Sequence, residues 1–332
     1  MRYFGSKAST TEQVYEIISD RIPAGTFCDP FGGIGTIGSF FKSKGFSVWG
    51  GDLLTFAHCF QIARLETNRI PSFHSLRKAM NLASVAAVID SLNQESRQKG
   101  WFVEEYAKKR HFFTEENAAR IEACRVRIEE WFNKKLLTKK ERAILVASLI
   151  NSMDRVANTA GTYYAYLKKW HRKALRTFRF TLIPFTSGNN NCVCFLGEAQ
   201  ALVSKRFFDV VYLDPPYNGR SYARYYHLPE TLALGEIPEI HGKSGMPNTE
   251  RAISDFNRPQ YAKNALERIL ENARFRLLAF HYSDDGLIRQ QDIEEILSNY
   301  GRIENYILDS KGYITSNIKR NTKQHLYLVD YG

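Results

Sequence analysis

Cysteine is scarce in this chain: five in 332 residues, an odd number at scattered positions, Cys28, Cys59, Cys124, Cys192 and Cys194. That pattern excludes a disulfide framework, and Cys192-Val193-Cys194 puts two thiols on one face of an expected strand instead of around a zinc ion. The eight histidines form no His-Glu-x-x-His or similar spacing, so no metal site is expected. Long apolar runs are missing too, and none reaches the roughly 20 residues that a membrane-spanning helix requires. The opening Met1-Arg2-Tyr3-Phe4-Gly5 carries no charged-then-apolar signal, which leads to the expectation of a cytoplasmic chain. Acidic residues are outnumbered, 35 against 46 Lys and Arg. The net charge of +11 and pI near 9.3 favour a polyanionic partner without identifying one.

What is present suffices for a folded core: 44% of residues are hydrophobic and 13% aromatic, in a length that allows one large domain or two modest ones. The organising stretch is Val210-Val211-Tyr212-Leu213, an apolar run stopped by Asp214-Pro215-Pro216-Tyr217. It predicts a buried parallel strand, and in open α/β sheets ligands sit outside the carboxyl ends of the strands. An exocyclic aromatic amine is a poor nucleophile because its lone pair is delocalised into the ring. Two acceptors on its two N–H bonds favour a tetrahedral nitrogen, and the Asp214 carboxylate with the Pro215 carbonyl suits that task. Pro215 and Pro216 hold the carbonyl in an extended, outward geometry, and Tyr217 is placed to stack on the base. The plainer alternative is a Pro-rich turn that Asp214 merely opens.

Near the N-terminus, Thr26-Phe27-Cys28 leads into Asp29-Pro30-Phe31-Gly32-Gly33-Ile34-Gly35 and then an apolar helical stretch with a C-cap at Gly45. This is strand, glycine-rich turn, helix. Glycines there let the backbone turn sharply and lie against a ligand. Such a turn by itself binds a dinucleotide or nothing, but the acid Asp29 suits the ammonium of a methionine moiety better than a pyrophosphate, which it would repel. Ser47 to Leu53 predicts a second strand ending in Asp52, at the distance usual for an acid that binds ribose hydroxyls; a helix-capping aspartate is the alternative.

From about Phe56 to Lys173 the pattern is helical. Its end, Asp154 to Lys173, interleaves basic side chains with large aromatics, Arg155, Tyr163, Tyr164, Tyr166, Lys168, Lys169, Trp170 and Arg172, and the polar Asn158 is a candidate contact among them. Cations that neutralise phosphates beside rings that stack on bases suit a surface gripping distorted DNA; an amphipathic helix with core tyrosines fits the composition equally. Phe178 to Ile183 and Cys192 to Leu196 read as strands. After the catalytic strand, Arg220, Tyr222 and Tyr226 belong to a second aromatic and basic cluster. Ile237 to Gln260 reads as a long loop, Tyr261 to Asn272 as a helix, and Phe275 to His281 as a strand. Ile303 to Leu308 and His325 to Val329 read as two antiparallel strands closing the sheet. His241 and His281 stand alone and read as structural.

Asp214-Pro215-Pro216-Tyr217 resembles the DPPY motif of S-adenosylmethionine-dependent amino-methyltransferases. With Asn218-Gly219-Arg220-Ser221-Tyr222 and Tyr226-His227-Leu228-Pro229-Glu230-Thr231, it is similar to the D12 class, α-group, FokI-type branch of DNA adenine-N6 methyltransferases. The resemblance covers essentially the whole chain, and Arg2-Tyr3-Phe4-Gly5-Ser6-Lys7 is similar to the family's N-terminal aromatic, glycine and lysine cluster, with Tyr there instead of Trp and with Glu198 where Asp is common. It implies a Rossmann-like methyltransferase α/β sheet with an inserted helical target-recognition domain. Residues 1–55 and 177–332 would then form the halves of the catalytic domain, with 56–176 as the insertion. It implies S-adenosylmethionine held by Tyr3, Lys7, Asp29, Pro30, Phe31, Gly33, Gly35, Asp52, Leu53 and Glu198, and double-stranded DNA as partner. A lysine at position 7 close to Asp214 would help keep that carboxylate ionised. The expected activity is site-specific methylation of a flipped adenine at N6, within a restriction-modification system whose nuclease, if any, is a separate chain. Methylation of cytosine N4 or of RNA adenine, or a catalytically silent nucleic-acid-binding relative, are the rival readings.

Overall fold

The computed structural model describes residues 1, 3–5, 7–96, 99–248, 253–309 and 323–331. Seven strands build one sheet: β1 Thr26–Asp29, β2 Ser47–Asp52, β3 Val193–Leu196, β4 Phe207–Leu213, β5 Arg274–Ser283, β6 Arg302–Leu308 and β7 Gln324–Asp330. Their order is β3-β2-β1-β4-β5-β7-β6. Pairing is parallel from β3 to β5, and β7 runs antiparallel to both β5 and β6. The central strands are apolar on both faces because both are covered; Val210, Val211, Leu213, Leu277 and Leu278 have no accessible surface. The strand order builds outward in opposite directions from β1 and β4, which run parallel, and in such sheets ligands sit in the crevice at the carboxyl ends of the strands at this switch point.

The amino-terminal parts of the same two strands, away from the crevice, are pinned together. Asp209 Oδ2 on β4 accepts from the Thr26 backbone N–H and from its hydroxyl, each at 2.7 Å. Gly25, at φ +144°, leaves room for it: a Cβ there would come within 2.6 Å of Asp209 Oδ2.

Two compact units emerge. One comprises Ser6–Gln61, Thr186–Ser221 and Ala252–Gly332 and holds the sheet. The other comprises Met1–Gly5, Ile62–Phe185 and Tyr222–Arg251 and is mainly helical. The helical unit thus takes in the first five residues and the stretch after Ser221, both of which the sequence pattern had grouped with the sheet.

Within the helical unit, long helices span Glu115–Asn133 and Lys139–Asp154. Thr114 caps the first through a side-chain bond to the Asn117 amide, and Thr138 with Glu141 forms a reciprocal capping box on the second. The expected strand at Phe178 to Ile183 is not formed. Helix side chains take the place of a ladder: the Phe178 and Phe180 amides donate to Asn117 and Asn93 Oδ1, and the Thr181 and Ile183 amides to Ser152 and Ser148 Oγ, all at 2.8–3.0 Å. Every such amide needs a partner once buried, and side chains supply it as well as a strand would.

The helical pattern expected to reach Lys173 stops at Asp154. The stretch read as one long loop after Ile237 contains a short ladder, Ile240–His241 with Met246–Pro247, and a 3-10 turn at Asp255–Asn257. Among the described residues, no helix is long and apolar enough to cross a membrane.

Candidate active site

Three acids end three adjacent parts of the sheet. Asp29 closes β1, Asp52 closes β2, and Asp214 follows Leu213 at the end of β4. The registers Asp29 with Gly50 and Cys28 with Val211 align these ends at one edge. Lys7 enters the same group: its ammonium lies 2.6 Å from Asp214 Oδ1 and 5.4 Å from the centre of the Tyr217 ring. Both side chains of the ion pair are largely enclosed, 10% and 15% exposed, so their attraction is little screened by water.

Burial raises the Asp214 carboxyl above its ordinary range, and the adjacent Lys7 charge pulls the other way. Asp29 is pushed up well above the usual carboxylate range, first by burial and then by the negative charges of Asp214 and Asp52, against the Phe31 amide and Lys7. Its Oδ1 is buried and has no hydrogen-bond partner. A buried carboxylate oxygen without a donor is costly, and a cationic or N–H-bearing ligand would satisfy it.

The glycine-rich turn wraps this acid. Gly33 and Gly35 have φ of +52° and +76°, the left-handed region that glycine enters freely. The Gly33 N–H donates to Asp52 Oδ2 at 3.1 Å and the Leu54 N–H to Asp52 Oδ1 at 2.8 Å, so Asp52 ties the turn to the end of β2. Gln61, fully buried, completes the tie: its Nε2 donates to the carbonyls of Gly33 (2.9 Å) and Gly51 (3.1 Å). A methylene-free backbone lets Gln61 come so close, since a Cβ on Gly32 would lie 2.9 Å from that nitrogen. Sequence reading did not single out Gln61; it sits in an unremarkable helical stretch, and only the carbonyls it meets give it a role. Phe31 meets the ring of Phe256 edge-on at 5.4 Å. Leu53 and Glu198 are exposed beside the ends of β2 and β3, and Pro30 is buried.

On the other side of Asp214, the Tyr217 carbonyl accepts from the Leu287 N–H at 3.0 Å, and its ring meets Tyr282 edge-on at 6.1 Å. His281 is not catalytic in this geometry. It is fully buried, its Nδ1 pairs with the Tyr212 hydroxyl at 2.7 Å, and burial holds its pKa well below the ordinary value.

The remaining residues divide between the two units. Tyr3 stacks on Tyr226 at 5.0 Å within the helical unit and meets Tyr222 at 5.7 Å. Of the residues expected to touch DNA, Arg155, Tyr164, Lys168, Lys169 and Arg172 are exposed in the helical unit, and Arg220 is exposed in the sheet unit. Asn158, Tyr163 and Tyr226 are not presented to a partner, and for them the expectation is corrected: they are 1%, 0% and 0% exposed. Asn158 is a backbone hub, donating through Nδ2 to the His111 and Leu167 carbonyls and accepting at Oδ1 from the His171 amide. Side-chain bonds of this kind compete with helix formation and explain why the helix stops before it. Tyr163 is held by its hydroxyl to Asp154 at 3.3 Å and by its carbonyl to His227 Nε2 at 2.8 Å. Among the described residues, no group of three or more His, Cys, Asp or Glu side chains is arranged to hold a metal ion.

An acid after β4, a largely enclosed lysine beside it, and a glycine turn around buried Asp29 lie together. The family described as D12 class N6 adenine-specific DNA methyltransferase matches residues 3–309 of this sequence. The chain belongs to this D12 family. Over 314 residues it is 34% identical to the Type II methyltransferase M.FokI of Planomicrobium okeanokoites, covering 92% of this chain and 48% of that one. Over 328 residues it is 28% identical to the Modification methylase StsI of Streptococcus sanguinis, covering 97% and 50%. Over 317 residues it is 27% identical to the Type II methyltransferase M.NlaIII of Neisseria lactamica, covering 92% and 90%. The D12 chain therefore spans about half the length of the first two of these curated relatives and most of the third.

Proposed function

We propose that this chain transfers a methyl group from S-adenosylmethionine to N6 of an adenine flipped out of double-stranded DNA, as the modification activity of a restriction-modification system. The observation that carries the reading is the enclosed Lys7–Asp214 ion pair at the end of β4, beside a second acid, buried Asp29, whose Oδ1 lacks a donor.

The residues present fit the methyl donor. The unpartnered Oδ1 of Asp29 offers an acceptor for its ammonium, and the glycine turn at Gly33 and Gly35 leaves space where side chains would intrude. Phe31, Asp52, Leu53 and Glu198 complete the proposed contacts to it. When bound, S-adenosylmethionine supplies an electrophilic methyl carbon.

The protein's task is then to make an aromatic amine nucleophilic. Asp214 and the Pro215 carbonyl each accept one N–H of the adenine amine, favouring a tetrahedral nitrogen whose lone pair points away from them. Lys7 keeps Asp214 ionised against the cost of burial, and the carboxylate takes the proton that the methylated amine gives up. Tyr217 stacks on the base, and closure of the site excludes water. Exposed Arg155, Lys168, Lys169, Arg172 and Arg220 neutralise phosphates, and Tyr164 and Tyr222 contact the distorted duplex.

The test is transfer from labelled S-adenosylmethionine to unmethylated genomic DNA, with nucleoside analysis and mapping of the marks. N6-methyladenine at one short motif supports the reading. Label on N4-methylcytosine or only on RNA overturns the choice of substrate, and no cofactor binding in calorimetry overturns the enzyme.

A further inference from the structure

On the target side of the site, one side chain that the proposed chemistry does not use holds the turn after Tyr217. Asn218, Gly219 and Arg220 follow Tyr217 in a tight turn in which the Arg220 amide donates to Asn218 Oδ1 at 3.1 Å. The turn itself lies outside any strand or helix. Its outward carbonyls go to Asn257, whose Nδ2 donates to the Asn218 carbonyl at 2.8 Å and to the Arg220 carbonyl at 3.0 Å. Both hydrogens of one amide are therefore spent on the two residues flanking Gly219, across 39 and 37 positions of sequence. Asn257 is 8% exposed, and a Cβ added at Gly219 would meet its backbone carbonyl at 3.6 Å, an ordinary contact distance.

The neighbour of Asn257 faces the other half of the reaction. Phe256, 3% exposed, meets Phe31 of the glycine-rich turn edge-on. One 3-10 turn, Asp255–Asn257, thus touches the segment that follows the acceptor acid and the segment that follows β1. The turn is itself braced: Ser254 Oγ accepts from the Phe256 amide at 3.3 Å, and the exposed Asp255 pairs with Arg268 at 2.6 Å.

We propose that Asn257 is a positioning residue for methyl transfer, fixing the Asn218–Arg220 turn so that Tyr217 and the Pro215 carbonyl keep the spacing to Asp214 that the target amine needs. The inference rests on the methyltransferase reading for its kinetic consequence but not for its structural one. Misplacing a reacting group by about 1 Å costs on the order of 10²-fold in rate, whereas affinity for a donor bound on the β1 side is untouched.

The experiment compares wild type with Asn257→Ala, Asn257→Asp and Asn257→Gln in the full chain. Asn257→Asp keeps the shape but turns an oxygen towards two carbonyls, and serves if the alanine variant folds poorly. Expected are a fall in kcat of roughly 10–10²-fold for Ala and Asp, an unchanged KM and calorimetric Kd for S-adenosylmethionine, and partial recovery in Gln, which keeps both donors. Arg268→Ala, which breaks only the exposed brace, is expected to leave kcat near wild type. Hydrogen exchange of the 217–221 segment is read in the same preparations, and faster exchange there with unchanged exchange in β1 is expected for Ala and Asp. A kcat within twofold of wild type, or a loss of cofactor affinity matching the loss of rate, overturns the positioning role. Unchanged exchange at 217–221 overturns the clamp. If wild type methylates no DNA, the methyltransferase reading fails, and the exchange result alone still decides whether Asn257 holds the turn.

Discussion

Lys7 Nζ lies 2.6 Å from Asp214 Oδ1 across 207 residues of sequence, with the Tyr217 ring 5.4 Å from the same ammonium. The pair joins the segment before the first helix to the end of the central strand. It opposes the upward pull that burial exerts on the Asp214 carboxyl.

Removing either partner is expected to have different consequences. Asp214→Ala deletes an acceptor of the amine and should lower methyl transfer by roughly 10²–10⁴-fold while cofactor binding, read by calorimetry, stays within a few-fold of wild type. Near-normal turnover in this variant would be incompatible with the proposed chemistry. Lys7→Met keeps the acceptor and should reduce the rate less at alkaline pH than at neutral pH.

The pH profile follows from the same pair. In the proposed chemistry Asp214 works ionised, and its pKa is raised by burial, so kcat is expected to fall with decreasing pH along a limb lying above the range of an ordinary carboxylate. Lys7 pulls that pKa down, so Lys7→Met should move the limb to higher pH. A limb that stays in place or moves to lower pH would show that another group controls the rate.

Asp29 links stability to the donor. Its folded-state pKa is raised well above the unfolded one, so the folded chain holds a proton that the unfolded chain has already lost. That contribution to stability is complete below the unfolded pKa and disappears as pH rises through the folded one. Asp29→Asn, neutral at every pH, is therefore expected to raise the melting temperature of the free protein at pH 7–8 and to abolish S-adenosylmethionine binding. Thermal melts with and without the donor read both effects, and a lower melting temperature for the free variant would contradict this view of Asp29.

The helical unit separates surface from framework at adjacent positions. Tyr164 is 50% exposed, whereas Tyr163 is fully buried. Tyr164→Ala should weaken DNA binding by about 1–3 kcal/mol if the ring stacks on a base, with the melting temperature unchanged. Lys168→Ala and Lys169→Ala should each lower the slope of log K against log salt by about 1. Tyr163→Ala should instead lower the melting temperature.

Asn117 is expected to be worth more to the helical unit than its helical position suggests. Its side chain accepts from the Phe178 amide and donates to the Ala174 and Arg176 carbonyls. Asn117→Ala leaves these backbone groups without partners, and each buried orphan costs about 1–3 kcal/mol. Chemical denaturation measures the loss, and a change below 1 kcal/mol would mean that water replaces the amide.

The sequence by itself determined the parts of this protein that are local in the chain. An apolar run ended by an acid marks a strand opening into a site, which is why Asp29, Asp52 and Asp214 were legible at the ends of β1, β2 and β4. The glycine turn and the antiparallel closing strands were legible for the same reason, because short-range sterics and alternation dictate them. Only the tertiary structure decided which side chains serve as clamps. Gln61 and Asn257 look ordinary in sequence, and their roles come from carbonyls 10 to 39 residues away. It also decided that Phe178 to Ile183 makes no strand, since helix asparagines and serines took its amides first, and that Tyr163 turns inward where Tyr164 turns out. Composition is the same for a buried and an exposed tyrosine; the packing around each one makes the difference.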